Sequence, residues 1–379
     1  LVGGLALWTH DLIEEAFFGI LGNQLTSVLR AETSALDQWI KDEKSQLDYI
    51  AKDPRVVRYT EELLGAGESA ENKIEAWLHS PAREELLEVG RTFTKTTNAT
   101  AFHVISDRGE IVLSGSDTET GLTIHEHLAD EVSAALRGRT VFVRPYRYED
   151  LVDNQGGGSM YSFVLGPLRD PDGRIIATVA RVQRGYGPNS LSHILEIVEL
   201  GETGETYAFD RDGLMLTESR FTLELRQIGV LPPIEGSRGV WDAGSQLNME
   251  VRDPGGDLLR GYEPELELAA RPLTRLAALA VAARDKPDAS NRRGVLLEPY
   301  RNYRGVEVVG AWEWLSEYGF GVATEVEARE ALAPLRYLDV VFGALIVLLS
   351  VFVATSLLSL FSVTRLRRRV RELRELGPY

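Results

Sequence analysis

A strand-like stretch at residues 142–153, FVRPYRYEDLVD, concentrates arginines and tyrosines that could hold a small molecule. Because side chains alternate along a strand, Arg144 and Tyr146 point to one face and Arg147 to the other. Arginine forks bind carboxylates or phosphates through two hydrogen bonds, and tyrosines supply walls with a hydroxyl. A solvated strand end with ordinary surface arginines is the alternative. The candidate ligand residues in this stretch are Arg144, Tyr146, Tyr148 and Asp150.

Other polar motifs have structural explanations. The histidines of HEH at 125–127 stand two apart at a predicted helix start, where they do not share a face, and no third metal ligand lies nearby. DRDG at 210–213 begins like a calcium loop but lacks the later acidic ligands, so a hairpin turn explains it. GGG at 156–158 lacks the following lysine of a phosphate-binding loop and is read as a lid or a flexible loop.

The chain contains no cysteine, which excludes thiol nucleophiles, thiolate metal sites and disulfides. No Ser-His-Asp set and no suggestively spaced carboxylate pair emerges from the sequence. We therefore predict no catalytic residue, no metal site and no cofactor, and the chain itself is not expected to be an enzyme.

The elements that position the candidate residues are predicted to be strands, and their order occurs twice. TAFHVIS and EIVLS flank a turn with Gly109, as TYAF and LMLTES flank a turn with Gly213. Later, EVVGAWEWLSEYGFGVATEV at 307–326 repeats the pattern of SFVLGPLRDPDGRIIATVARV. Hairpins with helices against one face predict an α+β fold of two tandem antiparallel-sheet modules. Their predicted bounds are 54–185 and 186–335.

A long amphipathic helix is predicted over residues 11–53. Its apolar residues, from Leu21 to Ile50, form one stripe, and Asp53-Pro54 ends the run. Such a rod serves either as a spine for packed modules or as a seam between two copies of the chain. We therefore expect a homodimer through this helix.

An apolar segment at 338–364 predicts a transmembrane helix. Its stretch 340–364 has 25 residues without a charge, enough to cross a hydrocarbon core of about 30 Å. The following segment, 365–379, carries six arginines and two glutamates. Excess arginine marks the cytoplasmic side, so residues 365–379 are expected in the cytoplasm and the acidic body outside or in the periplasm. Residues 1–10 are interpreted as the end of a first membrane helix.

The net charge of −16 is therefore unevenly distributed, because the basic tail leaves the rest of the chain still more acidic. An acidic body repels the phosphate backbone, so a nucleic-acid partner is not expected. The expected location is the inner (cell) membrane.

Three stretches carry a family resemblance, namely ALDQWIKDEKSQLDYIAKDPRV, LGETGETYAFDRDGLMLTESRF at 200–221, and EPYRNYRGVEVVGAWEWLSEYGFGVATEVEAREAL. Together they resemble the double Cache family of bacterial sensors, which have two tandem PAS-like modules. The resemblance covers nearly the whole chain. It implies a receptor ectodomain that binds a small molecule in the membrane-distal module, between the sheet and its covering loops.

Within that implied pocket, Tyr161 and Arg181 on the later strands join the candidate ligand residues. Amino-acid-binding members carry an Arg-x-Trp-Tyr pattern, which this chain lacks, and an aspartate near where it has Ala180 and Arg181. An arginine there would repel an ammonium group. The ligand expected from the resemblance is therefore a small organic anion.

The tail RELRELGPY is similar to the lead-in of membrane-anchored bacterial serine/threonine kinases, so a kinase output in the missing cytoplasmic part is expected. A histidine kinase, a cyclase or a chemotaxis transducer is the alternative output. Two other functions stay open: a ligand-free scaffold for protein partners and, less favoured, a membrane-tethered hydrolase.

Overall fold

The computed structural model describes residues 2–124, 128–147, 160–187, 189–196, 200–233 and 244–375. The chain divides into two compact units. One unit comprises Gln24–Glu327. The other comprises the residues before Gln24 and those after Glu327. Tyr148, Asp150, the HEH motif and the GGG loop lie outside the described residues.

The first half of the larger unit is a run of helices followed by a sheet. The helices are α1 (Val2–Ile50), which belongs to this unit from Gln24 onward, and α2 (Pro54–Glu68), α3 (Lys73–His79), α4 (Pro81–Thr97) and α5 (Ala129–Leu136). The strands are β1 (Ala101–Ile105), β2 (Ile111–Leu113), β3 (Val141–Arg147), β4 (Met160–Arg169) and β5 (Ile175–Arg184). Among the described residues these strands form an antiparallel sheet in the order β2-β1-β5-β4-β3, called the first sheet.

The second half of this unit contains the second sheet, whose described strands follow the order β6-β9-β8-β7. The strands are β6 (Glu205–Phe209), β7 (Arg293–Arg301), β8 (Glu307–Leu315) and β9 (Phe320–Glu327), and the helices are α6 (Leu191–Leu195), α7 (Thr222–Gln227) and α8 (Arg275–Ala283). The predicted α+β architecture with two antiparallel sheets is thus confirmed. The exact module bounds, 54–185 and 186–335, stay predictions.

The repeated hairpin turns are built alike. Gly109 has φ +78° and Gly213 has φ +90°, a left-handed conformation that glycine adopts without a side-chain clash. In the second turn, Oδ1 of Asp210 accepts hydrogen bonds from the backbone N–H groups of Asp212 and Leu214, both at 2.9 Å. The calcium-like DRDG motif is therefore a hairpin turn in which the aspartate caps the backbone.

Helix α1 packs against both sheets, as the spine interpretation predicts. Its apolar stripe is buried at Leu25, Leu29, Leu36, Ile40 and Leu47. Asp37 accepts a hydrogen bond of 2.6 Å from Tyr318, at the second sheet. Asp48 accepts one of 2.6 Å from Thr140, next to the first sheet. The stripe that predicted a helix seam is therefore covered by the chain's own modules.

The smaller unit contains the start of α1 together with α9 (Ala328–Ala331) and α10 (Ala333–Glu375). Within the described residues, the segment Ala333–Arg371 is the one helix that is long and apolar enough to cross a membrane. Its apolar side chains, such as Leu348 and Phe361, are exposed. The predicted helix at 338–364 lies inside this segment. Nε2 of His10 on α1 lies 2.6 Å from Oδ1 of Asp339 on α10.

Candidate functional site

The first sheet has two faces with different neighbours. One face packs against α5, and this inner face is formed by residues such as Phe163, Leu165, Ala180 and Val182. The other face contacts the long helices, as the ring of Phe93 on α4 packs edge-on against Phe102 at 5.7 Å. Because the strands alternate, each side chain of the sheet belongs to one face only.

A cavity of about 240 Å³ lies on the inner face, where β1, β4 and β5 meet the loop after β2. We call it the first-sheet cavity. Pockets for drug-sized ligands usually start at about 300 Å³, so this cavity suits a smaller molecule. It is lined by Thr100, Ala101, His103, Ser114, Gly115, Ser116, Glu119, Tyr161, Phe163 and Val182.

One wall of the cavity is a polar cluster of His103, Ser114 and Glu119. Nε2 of His103 lies 3.4 Å from Oγ of Ser114 and 3.5 Å from Oε2 of Glu119. The Ser114 hydroxyl donates a hydrogen bond to Glu119. The pKa of His103 is lowered by burial, while the charge of Glu119 opposes the shift. Both neighbours face the same imidazole nitrogen, so the cluster does not have the relay geometry of a catalytic triad.

The opposite wall is apolar and aromatic. Ala101 and Val182 are partners across β1 and β5, and Phe163 is the partner of Val182 on β4. Tyr161 extends this surface by two residues along β4. The cavity thus offers a carboxylate, an imidazole and hydroxyls on one side and an apolar surface on the other, which is the usual composition of a small-molecule site.

Of the sequence-predicted residues, Tyr161 lines the cavity. Tyr146 lies beside it, because Tyr146 and Tyr161 are partners across β3 and β4. Tyr146 packs against the same inner-face core but does not line the cavity. The structure therefore brings these two tyrosines together at the inner face.

Arg144 forms a contact between the two halves of the unit. Its Nη2 lies 3.3 Å from Oδ2 of Asp210 in the turn after β6, and its guanidinium stacks over the Tyr146 ring at 4.2 Å. Neighbouring Arg147 donates a hydrogen bond of 2.9 Å to the carbonyl of Leu247. Neither arginine lines the cavity.

Arg181 lies on the helix-facing side of the first sheet, away from the cavity. It is 1% exposed, forms an ion pair with Glu43 of α1 and donates a hydrogen bond of 2.9 Å to the carbonyl of Thr97. Burial lowers the pKa of the Arg181 guanidinium to about 10, so it stays charged at neutral pH. The alternation that puts Ala180 and Val182 on the inner face puts Arg181 opposite, so it is not a ligand residue of this cavity.

Sequence reasoning missed His103, Ser114 and Glu119. The available signal was weak: His103 is the one ionisable residue in the apolar run TAFHVIS, and alternation pairs it with Ala101 and Ile105. Glu119 reaches the cavity because a short 3₁₀ turn at Asp117–Glu119 follows β2. That turn has no distinctive sequence pattern.

The second sheet carries a buried acidic cluster on its inner face. Glu205 and Glu325 are partners across β6 and β9, and both are buried. The hydroxyls of Tyr303 and Tyr300 donate hydrogen bonds of 2.7 Å to Glu205 and Glu325, respectively. Burial raises the pKa of both carboxyl groups, that of Glu325 to about 7.

A larger cavity of about 590 Å³ lies in this module, lined mainly by residues from the segments 248–252 and 258–271. Tyr303 lines it and at the same time donates to buried Glu205, so this cavity adjoins the acidic cluster. The rest of its lining mixes apolar side chains such as Met249 and Leu258 with Glu250 and Arg252.

No family model and no curated protein matches this chain. Several solved structures do. The ligand-binding domain of the Campylobacter jejuni chemoreceptor Tlp3, in complex with L-valine, is 11% identical with a TM-score of 0.44, over 84% of this chain and 96% of that one. The sensor domain of the V. cholerae histidine kinase DctB is 12% identical with a TM-score of 0.44, over 82% and 98%.

The ligand-binding domain of the Pseudomonas aeruginosa PAO1 amino acid chemoreceptor PctB, in complex with L-Arg, is 12% identical. Its TM-score is 0.43, and the match covers 84% of this chain and 93% of that one. The chain is thus similar to ligand-binding and sensor domains of chemoreceptors and histidine kinases.

Proposed function

We propose that this chain is the extracytoplasmic sensor region of a transmembrane receptor, and that it binds a small molecule in the first-sheet cavity. The observation that carries the proposal is the cavity itself. It sits on the inner face of a sheet, with buried polar side chains on one wall and apolar side chains on the other. The apolar helix α10 supplies the membrane anchor.

The signal is proposed to pass through α1 and the contacts between the two sheet modules. On α1, Glu43 contacts the first sheet and Asp48 contacts the loop that precedes β3. Asp37, also on α1, contacts the second sheet module. The Arg144–Asp210 ion pair joins the modules directly. A ligand that binds one arrangement of these contacts more tightly than another shifts the population between the two.

The proposed orientation places the arginines after Thr364 in the cytoplasm and both sheets outside or in the periplasm, at the inner (cell) membrane. The tail RELRELGPY favours a serine/threonine kinase as the output, and a histidine kinase or chemotaxis output is the alternative. Homodimerisation is part of the proposal. Because the α1 stripe is buried, the dimer contact would use the polar, exposed side of α1.

The test is a ligand screen on the purified full chain in lipid nanodiscs, read as a shift in melting temperature and then by calorimetry. Ala101→Phe places a ring in the first-sheet cavity and is expected to abolish binding of any ligand found. Ala278→Phe, at an exposed position of α8, is the matched control and should leave binding unchanged. If no member of a broad metabolite library binds, the scaffold function replaces the sensor function.

A further inference from the structure

The first-sheet cavity has an electrostatic character opposite to that expected from the sequence. The anion preference rested on Arg144 and Arg181, and both guanidinium groups are already paired, with Asp210 and Glu43 respectively. Among the described lining residues there is no lysine or arginine. A carboxylate ligand would therefore find no opposite charge on the described wall.

The ionisable groups on that wall are Glu119 and His103. Arg83 contacts the carbonyl of Ser114 at 3.5 Å from outside the cavity, and it is paired with Asp117. Because burial lowers the pKa of His103, the imidazole is neutral at neutral pH. The Glu119 side chain is 21% exposed, so its carboxylate is partly shielded from water. Partly away from water, a cation is attracted to this carboxylate more strongly than in bulk water, and an anion is repelled more strongly.

The opposite wall selects the body of the ligand. Phe163 and Val182 are buried, and Tyr161 adds an aromatic ring next to them. Aromatic rings attract cations as well as apolar groups. The volume of about 240 Å³ suits a compact body. A compact alkyl or cyclic body next to one cationic group matches both walls.

We propose that the first-sheet cavity binds a small organic cation, namely an amine with a compact apolar body, rather than an organic anion. The ammonium group contacts the Glu119 carboxylate, with His103 as a second polar neighbour. The apolar body packs against Phe163 and Val182. This inference rests on the proposed sensor function and specifies the ligand class of the same site.

The test compares amines and carboxylates that share one body. The full chain in nanodiscs is titrated at pH 7.5 with isobutylamine against isovalerate, and with cyclohexylamine against cyclohexanecarboxylate. The amines are expected to bind and the carboxylates are not. Glu119→Gln keeps the shape and still accepts from Ser114, but it removes the charge. It is expected to weaken amine binding by about tenfold or more.

Asp107→Asn, in the exposed β1–β2 turn, removes one charge elsewhere in the module and is the matched control. Glu119→Asp keeps the charge and is expected to retain measurable amine binding. A melting curve for each variant verifies that it is folded.

Three results would overturn the ligand class: carboxylate binding, amine binding unchanged in Glu119→Gln, or no amine binding at millimolar concentrations. None of them refutes the sensor function if another small molecule binds and Ala101→Phe abolishes that binding.

Discussion

At the residue scale, the Arg181–Glu43 pair is a buried ion pair between β5 and α1. Its side chains are 1% and 6% exposed. Removing one member leaves the other charge buried without its partner, which typically costs about 3–5 kcal/mol. Replacing both members removes that penalty.

We therefore expect Arg181→Met to lower the free energy of unfolding by about 3–5 kcal/mol, and the double variant with Glu43→Gln to recover much of the loss. Urea denaturation of the full chain, followed by tryptophan fluorescence, measures this. Arg91→Met removes an arginine that is 57% exposed and paired on α4, so it should lower the free energy of unfolding far less than Arg181→Met does. Equal losses for Arg181→Met and Arg91→Met would contradict the buried pair.

Glu325 makes stability depend on pH in a direction opposite to that of a carboxylate whose pKa is lowered by an ion pair. Its pKa is raised by burial to about 7, so the folded state holds the proton more tightly than the unfolded state does. The stabilising contribution is complete below about pH 4.5 and is lost as the pH rises towards 7. A shift of this size corresponds to roughly 3 kcal/mol.

We expect the free energy of unfolding to fall between pH 5 and pH 8 in the wild type and to fall less in Glu325→Gln. Urea midpoints measured across this range test the prediction. Glu265→Gln changes an exposed glutamate and should follow the wild-type profile. A Glu325→Gln profile parallel to that of the wild type would mean that this carboxyl does not titrate in the range.

At the element scale, the turn between β7 and β8 requires glycine for two reasons. Gly305 has φ +77°, and a Cβ there would lie 1.8 Å from the carbonyl oxygen of Gly256. Gly319, in the turn between β8 and β9, has a similar φ of +76° but open space around it. Substituting each of these two glycines therefore separates the loss of stability caused by a left-handed backbone from the loss caused by a steric clash.

Gly319→Ala is expected to lower the free energy of unfolding by about 1 kcal/mol, the cost of the backbone conformation. Gly305→Ala should cost clearly more, because the Gly256 backbone has to move. Thermal melts of both variants provide the measurement. Similar melting temperatures for the two variants would show that the Gly256 backbone moves away from the new Cβ without a measurable loss of stability.

The same scale explains why the repeated sequence forms two similar modules. In each module, the first hairpin turn uses a left-handed glycine, Gly109 or Gly213. The chain after Gly109 forms the edge strand β2, whereas after Gly213 it forms isolated bridges from Met215 to Phe209 and from Leu214 to Glu250. The cavity, however, depends on the short turn that brings Glu119 to the inner face of the first sheet. Similar elements can thus carry different sites.

At the scale of the whole molecule, the proposed topology can be tested because the chain has no cysteine. We expect Glu265→Cys to react with a membrane-impermeant maleimide in intact cells, since Glu265 belongs to the sheet module and is exposed. Arg371→Cys, after the apolar helix, should react only once the cells are permeabilised. The opposite labelling pattern would place the sheet module in the cytoplasm and would rule out an extracytoplasmic sensor function.

Several features were determined by the sequence alone, because each depends on neighbours along the chain. The apolar stripe of α1, the hairpin turns at Gly109 and Gly213, and the uncharged stretch 340–364 are local patterns. The spacing of apolar residues along such a segment indicates a helix or a strand, whichever residues pack against that segment in the fold. The α+β class with two sheets followed from their order.

Only the tertiary structure decided which charges meet. Alternation shows that Arg181 and Ala180 lie on opposite faces, but it does not show which face meets α1 or that Glu43 lies there. Arg144 likewise pairs with Asp210 from the other module. The cavity wall joins His103, Ser114 and Glu119 through a turn without a sequence pattern. The partner of a side chain depends on contacts between residues that are distant in the sequence. For this reason the two arginines predicted to bind an anion instead form ion pairs within the protein.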